Sequence, residues 1–375
     1  MKKRNDVLFP IFICSAISLL IIFLHLESNI IAGRNENLLN AIRLFHFKNS
    51  VSFSLPEIKT KEDYDVFVED EGTLIYSTEH SGAYRYGPSI IRYDNGSMDM
   101  WMVSEGNSST EWDWIVYRHS EDGESWTDEK IALRPTAGSA DQCSVCDPGV
   151  IFFNDYYYLA YTSTSDRLGN GMNNSAFVAR GKNPDGPFEK WNGSGWGGDP
   201  KPMIQYEGDP KGWGIGEVSF VIKDEELYIY YTYFDLNGGW VELAKSDLSE
   251  NWPLNIETVS IAFGRSSQDS LDVVYAEDLD LFLGFAIQYK MTEASKIFLC
   301  VSRDGMEFKP ADKTDVNVKQ YAHNLGISKS IEGHIDTREE QLVGYAYGKN
   351  WGKWSARLQK IRILHEIKWV ASFVN

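Results

Sequence analysis

From residue 87 onward, short apolar and aromatic runs alternate with polar turns, and the alternation itself recurs at intervals of about fifty residues. "GPSIIRYDNGSMDMWMV" opens the first copy at Gly87, and "DPGVIFFNDYYYLAYT" opens the second at Asp147. "EVSFVIKDEELYIYYTYF" follows at Glu217 and "DVVYAEDLDLFLGFAI" at Asp272, with a weaker fifth copy beginning "NLGISKSIEGHI" at Asn324. In each copy a strand-like run leads through a polar turn into an aromatic strand, then a third strand and a small-residue or Asp-Gly turn. Five repeats of four short strands predict an all-β, five-bladed β-propeller over 64–368, because radial repetition protects sheet edges. A β-sandwich is the alternative, but it does not ask for a repeat. "DVFVEDEGTLIYST", Asp65 to Thr78, is a candidate for the outer strand that closes the last blade.

Two turns match closely, "SEDGESW" at Ser120–Trp126 and "SRDGMEF" at Ser302–Phe308. Ser-x-Asp-Gly closes a hairpin through side-chain to backbone bonds, Gly supplies the positive φ, and the aromatic residue three positions later folds back under the turn. These are structural features.

The N-terminus breaks the pattern. After "MKKRND" comes "VLFPIFICSAISLLIIFLHL", residues 7–26, without Asp, Glu, Lys or Arg. That length suits a helix crossing the ~30 Å hydrocarbon core, and the basic residues before it predict a cytoplasmic tail at 1–6. A single-pass transmembrane signal anchor is therefore expected, with 27–63 as stalk and the remainder extracytoplasmic. Secretion after signal cleavage is the alternative, although no A-x-A-like site follows. A formal charge of -18 argues against nucleic acid and anionic lipid as partners. The exported part holds Cys143, Cys146 and Cys300, an odd number that gives no clean disulfide framework. Sequons stand at Asn95, Asn107, Asn173 and Asn192 and matter only in a glycosylating host.

Inner strands of a propeller begin around one end of a central channel, so residues at their starts converge. Aligned repeats put Gly87, Asp147 and Glu217 at equivalent starts. Two carboxylates on neighbouring blades facing one pocket suit glycosidic cleavage, where one group protonates the leaving oxygen and another stays ionised. Asp147 before Pro148 is otherwise a turn initiator. Glu217 lies in "GWGIGEVSF", where an acidic residue is costly unless it faces a pocket or partner.

"CDPGVIFFNDYYYLAYTS", "FVARGKNPDGPFEKW" and "GEVSFVIKDEELYIYYTYF" resemble the second and third blades of five-bladed glycoside hydrolases related to family 43, a group of arabinanases and β-xylosidases. The resemblance spans nearly all of 64–364. It implies that Asp147 tunes the pKa of the acid and orients the sugar, that Glu217 is the general acid, and that the anomeric centre inverts. It also implies a first-blade Asp as general base, where this chain has Gly87 in "YRYGPSII". Glu79, Asp113 and Asp269 are candidate replacements.

Arg85 and Tyr86, beside Gly87, are candidates to contact sugar hydroxyls or a substrate carboxylate. Trp112, Trp213 and Trp240 are candidates to stack on the C–H face of a pyranose, against the alternative of blade packing. "RLGNGMNNSAF", Arg167–Phe177, is either a pocket rim or an ordinary loop. His323-Asn324 and His334 can reach the channel, though a lone His is more often structural. No cofactor is expected, and no metal: HExxH, EF-hand and paired Cys/His sets are absent from the sequence. Cys143-x-x-Cys146 runs straight into a strand, unlike a thioredoxin-type motif, and reads as pocket-lining thiols or a local disulfide. The expected function is cleavage of glycosidic bonds in a poly- or oligosaccharide. The alternatives are a glycan-binding propeller without catalysis and a structural propeller with no sugar ligand.

Overall fold

The computed structural model of the chain describes residues 57–372, except 82, 109, 267–269 and 312–315. Glu62–Lys368 form one compact unit. Residues 1–61 and 369–375 group as a second, of which 57–61 and 369–372 are described, as strand. The segment expected to cross a membrane, 7–26, lies outside the described residues. No helix among the described residues is long and apolar enough to do so.

The regular structure among the described residues is almost entirely strand. After β1 (Glu57–Val68) and β2 (Thr73–Tyr76), the chain makes a meander of β3 (Arg85–Arg92), β4 (Met98–Ser108), β5 (Glu111–Ser120) and β6 (Lys130–Leu133). The second meander is β7 (Cys146–Phe153), β8 (Tyr156–Ser163), β9 (Ser175–Gly181) and β10 (Glu189–Lys190). The third is β11 (Gly214–Lys223), β12 (Glu226–Asp235), β13 (Gly238–Ser246) and β14 (Glu257–Ser266). The fourth is β15 (Asp272–Ala276), β16 (Leu281–Gln288), β17 (Lys296–Ser302) and β18 (Lys309–Pro310), with β19 (Val316–Asn317) also on β17. The last is β20 (Ala322–Lys329), followed by β21 (His334–Ile335), β22 (Gln341–Tyr347) and β23 (Ser355–Ser372).

Within each meander neighbouring strands pair antiparallel. β20 also pairs parallel with β3, and β21 with β15, so the first and last meanders share one sheet. β2 adds antiparallel to the outer side of β23, with Thr73 opposite Leu358, within the segment expected to supply a closing strand. The first strands of the meanders touch in a cycle, β3 to β7, β7 to β11, β11 to β15, β15 to β20 and β20 to β3.

Successive side chains on a strand point to opposite faces, so a continuous apolar run is apolar on both. Ile90 and Ile91 are consecutive on β3 and both fully buried. Ile90 packs with Leu342 and Leu358 of the last meander, and Ile91 with Val150 and Leu159 of the second. Phe220 and Val221 divide the same way between the second and fourth meanders. Neighbouring meanders thus share apolar cores, to which the aromatic runs contribute Tyr158, Tyr161, Tyr230 and Tyr231. The two Ser-x-Asp-Gly turns close as their composition predicts. Ser120 Oγ accepts from Gly123 N at 2.8 Å and Ser302 Oγ from Gly305 N at 3.0 Å, with φ of 75° and 72° at the two glycines. Phe308 is buried beneath its turn.

A buried ion pair laces three inner strands together. Lys329 Nζ on β20 lies 2.6 Å from Asp272 Oδ1 on β15 and 3.2 Å from Ser219 Oγ on β11. Asp272 Oδ2 accepts from Ile327 N at 2.8 Å, and its Oδ1 from Ser219 Oγ at 2.7 Å. With every polar atom engaged, removal of one partner leaves a buried charge uncompensated. Lys329→Met is expected to cost about 3–5 kcal/mol in urea unfolding, and the Lys329→Met/Asp272→Asn double variant to regain part of it. A loss below about 1 kcal/mol would assign the pair no structural role.

Candidate functional site

The site is built on one backbone irregularity. β3, β7, β11 and β20 each carry a register shift near their start, between Tyr86/Ser89, Cys146/Gly149, Gly216/Ser219 and His323/Gly326. At these points, and just before β15, the chain turns left-handed: φ is 57° at Gly87, 48° at Asp147, 52° at Glu217, 55° at Ser270 and 45° at Asn324. The equivalence inferred for Gly87, Asp147 and Glu217 thus extends to Ser270 and Asn324. Left-handed φ is uncommon for L-residues and persists where surrounding structure enforces it. All five residues line a narrow cavity of about 30 Å³ between the inner strands.

Glycine makes the close approach possible at β11. A Cβ on Gly216 would sit 2.2 Å from Thr162 Oγ1, which accepts from Glu217 N at 2.9 Å. Glu217 Oε2 then accepts from Thr232 Oγ1 at 2.7 Å, and Oε1 from Asn324 Nδ2 at 3.2 Å. The same Asn324 amide reaches Asp147 Oδ1 at 3.4 Å and Ser270 Oγ at 3.4 Å. Carboxylates of the second and third meanders therefore share one amide donor from the fifth.

Above them opens a cavity of about 450 Å³. Tyr86, Trp112, Asp113, Cys146, Asp147, Trp213, Glu217, His323, Asn324, Trp351 and Trp354 contribute to its wall. Asp113, at the start of β5, is held beside β7 by two backbone bonds, Trp112 N to Cys143 O at 2.7 Å and Val145 N to Asp113 O at 3.2 Å. The segment leading to Cys143 is itself anchored by the fully buried Asp141. Its carboxylate accepts from Lys190 Nζ at 2.5 Å, Tyr161 Oη at 2.9 Å and Ser139 Oγ at 2.7 Å.

Burial pushes the Asp113 carboxyl up to about 7, and the nearby Asp147 and Glu105 charges push the same way, against hydrogen bonds from the Tyr84 and Tyr86 phenols. The Tyr84 hydroxyl donates at 2.6 Å. Both phenols are shifted well upward, chiefly by burial, and remain donors. Burial, and after it the charges of Asp147 and Asp113, push the Cys146 thiol far up.

Of the residues singled out in the sequence, Asp147, Glu217, Tyr86, Trp112, Trp213 and His323 meet in the cavity. Arg85 and Trp240 do not reach it. Arg85 turns away to Glu129, with Nε and Nη2 at 2.9 and 2.6 Å from its two oxygens, and its guanidinium covers the Tyr76 ring. Trp240 stacks on Tyr233 at 4.6 Å and donates to Glu242, as blade packing. Of the three replacement carboxylates, Asp113 lines the cavity, Glu79 is exposed on a short helix at Thr78–Ser81, and Asp269 lies outside the described residues. His334 bonds Glu277 and the Ile222 carbonyl, away from the cavity. Gly171, Met172 and Asn174 make the Arg167–Phe177 insertion part of the rim. Cys143 and Cys146 are buried free thiols with no disulfide between them; Cys146 lines the cavity and donates to the Thr162 carbonyl.

Trp351 and Trp354 were not singled out in the sequence. They sit in "GKNWGKWSA", after the weakest repeat, where nothing local separates a rim residue from packing. Trp354 is buried, edge-on to Tyr86 and His323, whereas Trp351 is 84% exposed against it. Among the described residues no group of His, Cys, Asp and Glu has the arrangement of a metal site.

Compared by sequence, the chain matches no family model and no curated protein. Compared by structure, it has the fold of β-propeller glycoside hydrolases of families 43, 62 and 117. A family-117 glycoside hydrolase from the marine bacterium Zobellia galactanivorans is 17% identical over 82% of this chain and 90% of its own, with a TM-score of 0.57. A thermostable family-43 glycoside hydrolase is 12% identical over 82% of this chain and 98% of its own, at 0.55. The catalytic domain of a family-62 α-L-arabinofuranosidase from Coprinopsis cinerea is 14% identical over 82% of this chain and 97% of its own, at 0.56. At these identities the likeness speaks for the fold.

The raised Asp113 group has a consequence for stability. An unfolded Asp ionises near pH 4, so between about 4 and 7 the folded state holds a proton that the unfolded state has lost. Stability then falls as pH rises. Asp113→Asn is expected to raise the melting temperature at pH 8, with the gain shrinking toward pH 4. An equal change at both pH values would contradict the raised group.

Proposed function

We propose that this chain is a five-bladed β-propeller glycoside hydrolase that cleaves glycosidic bonds in a neutral poly- or oligosaccharide. The observation that carries this reading is the pairing of Asp147 and Glu217 around the Asn324 amide at the floor of an indole-walled cavity. Glu217 is the general acid that protonates the leaving oxygen. Asp147 orients the sugar, and its charge beside Glu217 favours the protonated acid. The acidic floor disfavours an anionic sugar, and the exposed Trp351 ring suits the C–H face of a pyranose. The basic hexapeptide and uncharged 7–26 run support a single-pass anchor that places the propeller outside the cytoplasm.

The test is hydrolysis of an aryl-glycoside and polysaccharide panel by the full-length protein. Glu217→Gln is expected to lose about 10²- to 10⁴-fold in kcat/KM on unactivated substrates. Full activity in that variant removes the assignment. Trp351→Ala is expected to raise KM about 2- to 10-fold with kcat retained, read by steady-state kinetics on an oligosaccharide.

A second reading, glycan binding without cleavage, draws on Gly87, which puts no side chain at the first inner-strand start. A Cβ there would meet Asp147 Cα and Oδ1 at 3.6 Å, an ordinary contact, and Asp is among the residues that tolerate positive φ. Under this reading the wild type binds glycans on an array without turnover, and Gly87→Asp gains hydrolysis of the bound sugar.

A further inference from the structure

The hydrolase reading leaves the base unassigned, and among the described residues the inner-strand starts supply no third carboxylate outside an ion pair. Gly87 has no side chain, Ser270 and Asn324 are neutral, and Asp272 is engaged by Lys329. We propose that Asp113, on the third strand of the first meander, is the general base, standing in for the carboxylate missing at Gly87. This rests on the hydrolase reading of the same cavity.

Placement supports the role. Asp113 is pinned to the segment entering β7 by the Trp112–Cys143 and Asp113–Val145 backbone bonds, so its position relative to Asp147 is set by main chain. It lines the cavity together with Asp147 and Glu217. Its neighbours are phenols rather than cations: Tyr84 donates at 2.6 Å, Tyr86 hydrogen-bonds it, and no ion-pair partner lies among the described residues. Phenols orient a carboxylate yet leave it basic, whereas an Arg or Lys would hold its pKa down. The charged and titratable groups that act on it most are Tyr84, Tyr86, Glu105, Cys146 and Asp147, while Glu217, Lys290 and His323 line the same cavity. With its pKa raised to about 7 by burial and acidic neighbours, the carboxylate is a stronger base than an exposed Asp.

In the step, the Asp113 carboxylate takes a proton from water as the water oxygen bonds to the anomeric carbon. The glycosidic C–O bond breaks, its electron pair goes to the leaving oxygen, and that oxygen takes the proton of Glu217. Asp113 ends neutral and Glu217 ionised, and one proton returns from the first to the second through solvent. A single displacement of this kind inverts the anomeric centre. Tyr84 is a positioning residue: its phenol lowers the Asp113 pKa, so its loss moves the acid limb of the pH profile upward.

The experiment compares full-length wild type, Asp113→Asn, Asp113→Ala, Glu217→Gln and Tyr84→Phe on an unactivated glycoside and a glycosyl fluoride of the same sugar. Melting curves establish that each variant folds. Asp113→Asn is expected to lose about 10²- to 10⁴-fold on both substrates, since water activation is needed for either. Glu217→Gln is expected to lose activity on the glycoside and keep most of it on the fluoride, whose leaving group needs no proton. Asp113→Ala with azide is expected to yield a glycosyl azide of inverted configuration. Tyr84→Phe is expected to keep its plateau kcat while its acid limb, near pH 7 in the wild type, moves up. Asp113→Asn with wild-type activity on the fluoride overturns the base assignment alone. Equal losses on both substrates in Glu217→Gln overturn the acid. No hydrolysis of any panel member by the wild type overturns both.

Discussion

The left-handed kink at the start of each inner strand is the constraint on which the site depends. It interrupts the ladder in β3, β7, β11 and β20, precedes β15, and brings the five residues to one narrow cavity. Asp147, Glu217, Ser270 and Asn324 carry side chains in a backbone region that L-residues seldom adopt, and Gly87 fills the fifth position without one. Such conformations persist only under tertiary constraint. Here the constraint is visible: Thr162 holds the Glu217 amide, Thr232 and Asn324 hold its carboxylate, and Gly216 admits the contact.

Charge is handled differently in the framework and in the cavity. Asp272 with Lys329 and Asp141 with Lys190 are buried pairs whose remaining valences are satisfied by hydroxyls and backbone, so they tie strands and loops together. Asp113, Asp147 and Glu217 meet hydroxyls, an amide, a thiol and one another instead. Burial and these acidic neighbours raise the Asp113 carboxyl, where the framework carboxylates have a lysine beside them. The Asp141–Lys190 pair anchors the segment that bonds the backbone at Asp113, so a buried ion pair of the framework helps to place a carboxylate of the cavity.

Much of this was legible because repetition carries register. Once the copies were aligned, the identity of Asp147 and Glu217 as neighbours followed from strand order, and the Asp-Gly turns followed from local chemistry. Tyr86 is legible by its adjacency to Gly87, and Trp112 only as an indole able to stack on a sugar. Arg85 misled because a cation beside a pocket pattern has two faces available on a strand, and Glu129, 44 residues away, decided which it took. Trp240 misled because an indole on a strand looks alike whether it faces Tyr233 or a sugar. The Cys143-x-x-Cys146 spacing drew attention to thiols, while the backbone of the same segment had the greater role in holding Asp113.

The amino-acid order alone determined the all-β class, the repeat, the hairpin turns and the two carboxylates at equivalent starts. Each of these rests on period-two alternation, turn chemistry or repeat alignment, which are local or additive along the chain. Only the tertiary structure decided that Asp113 rather than Glu79 lines the cavity with them, that Asn324 bridges both acids, and that Trp351 and Trp354 complete the wall. Those outcomes depend on how the first and last meanders close on each other through β20 and β3. That closure joins residues more than two hundred positions apart, which no local pattern encodes.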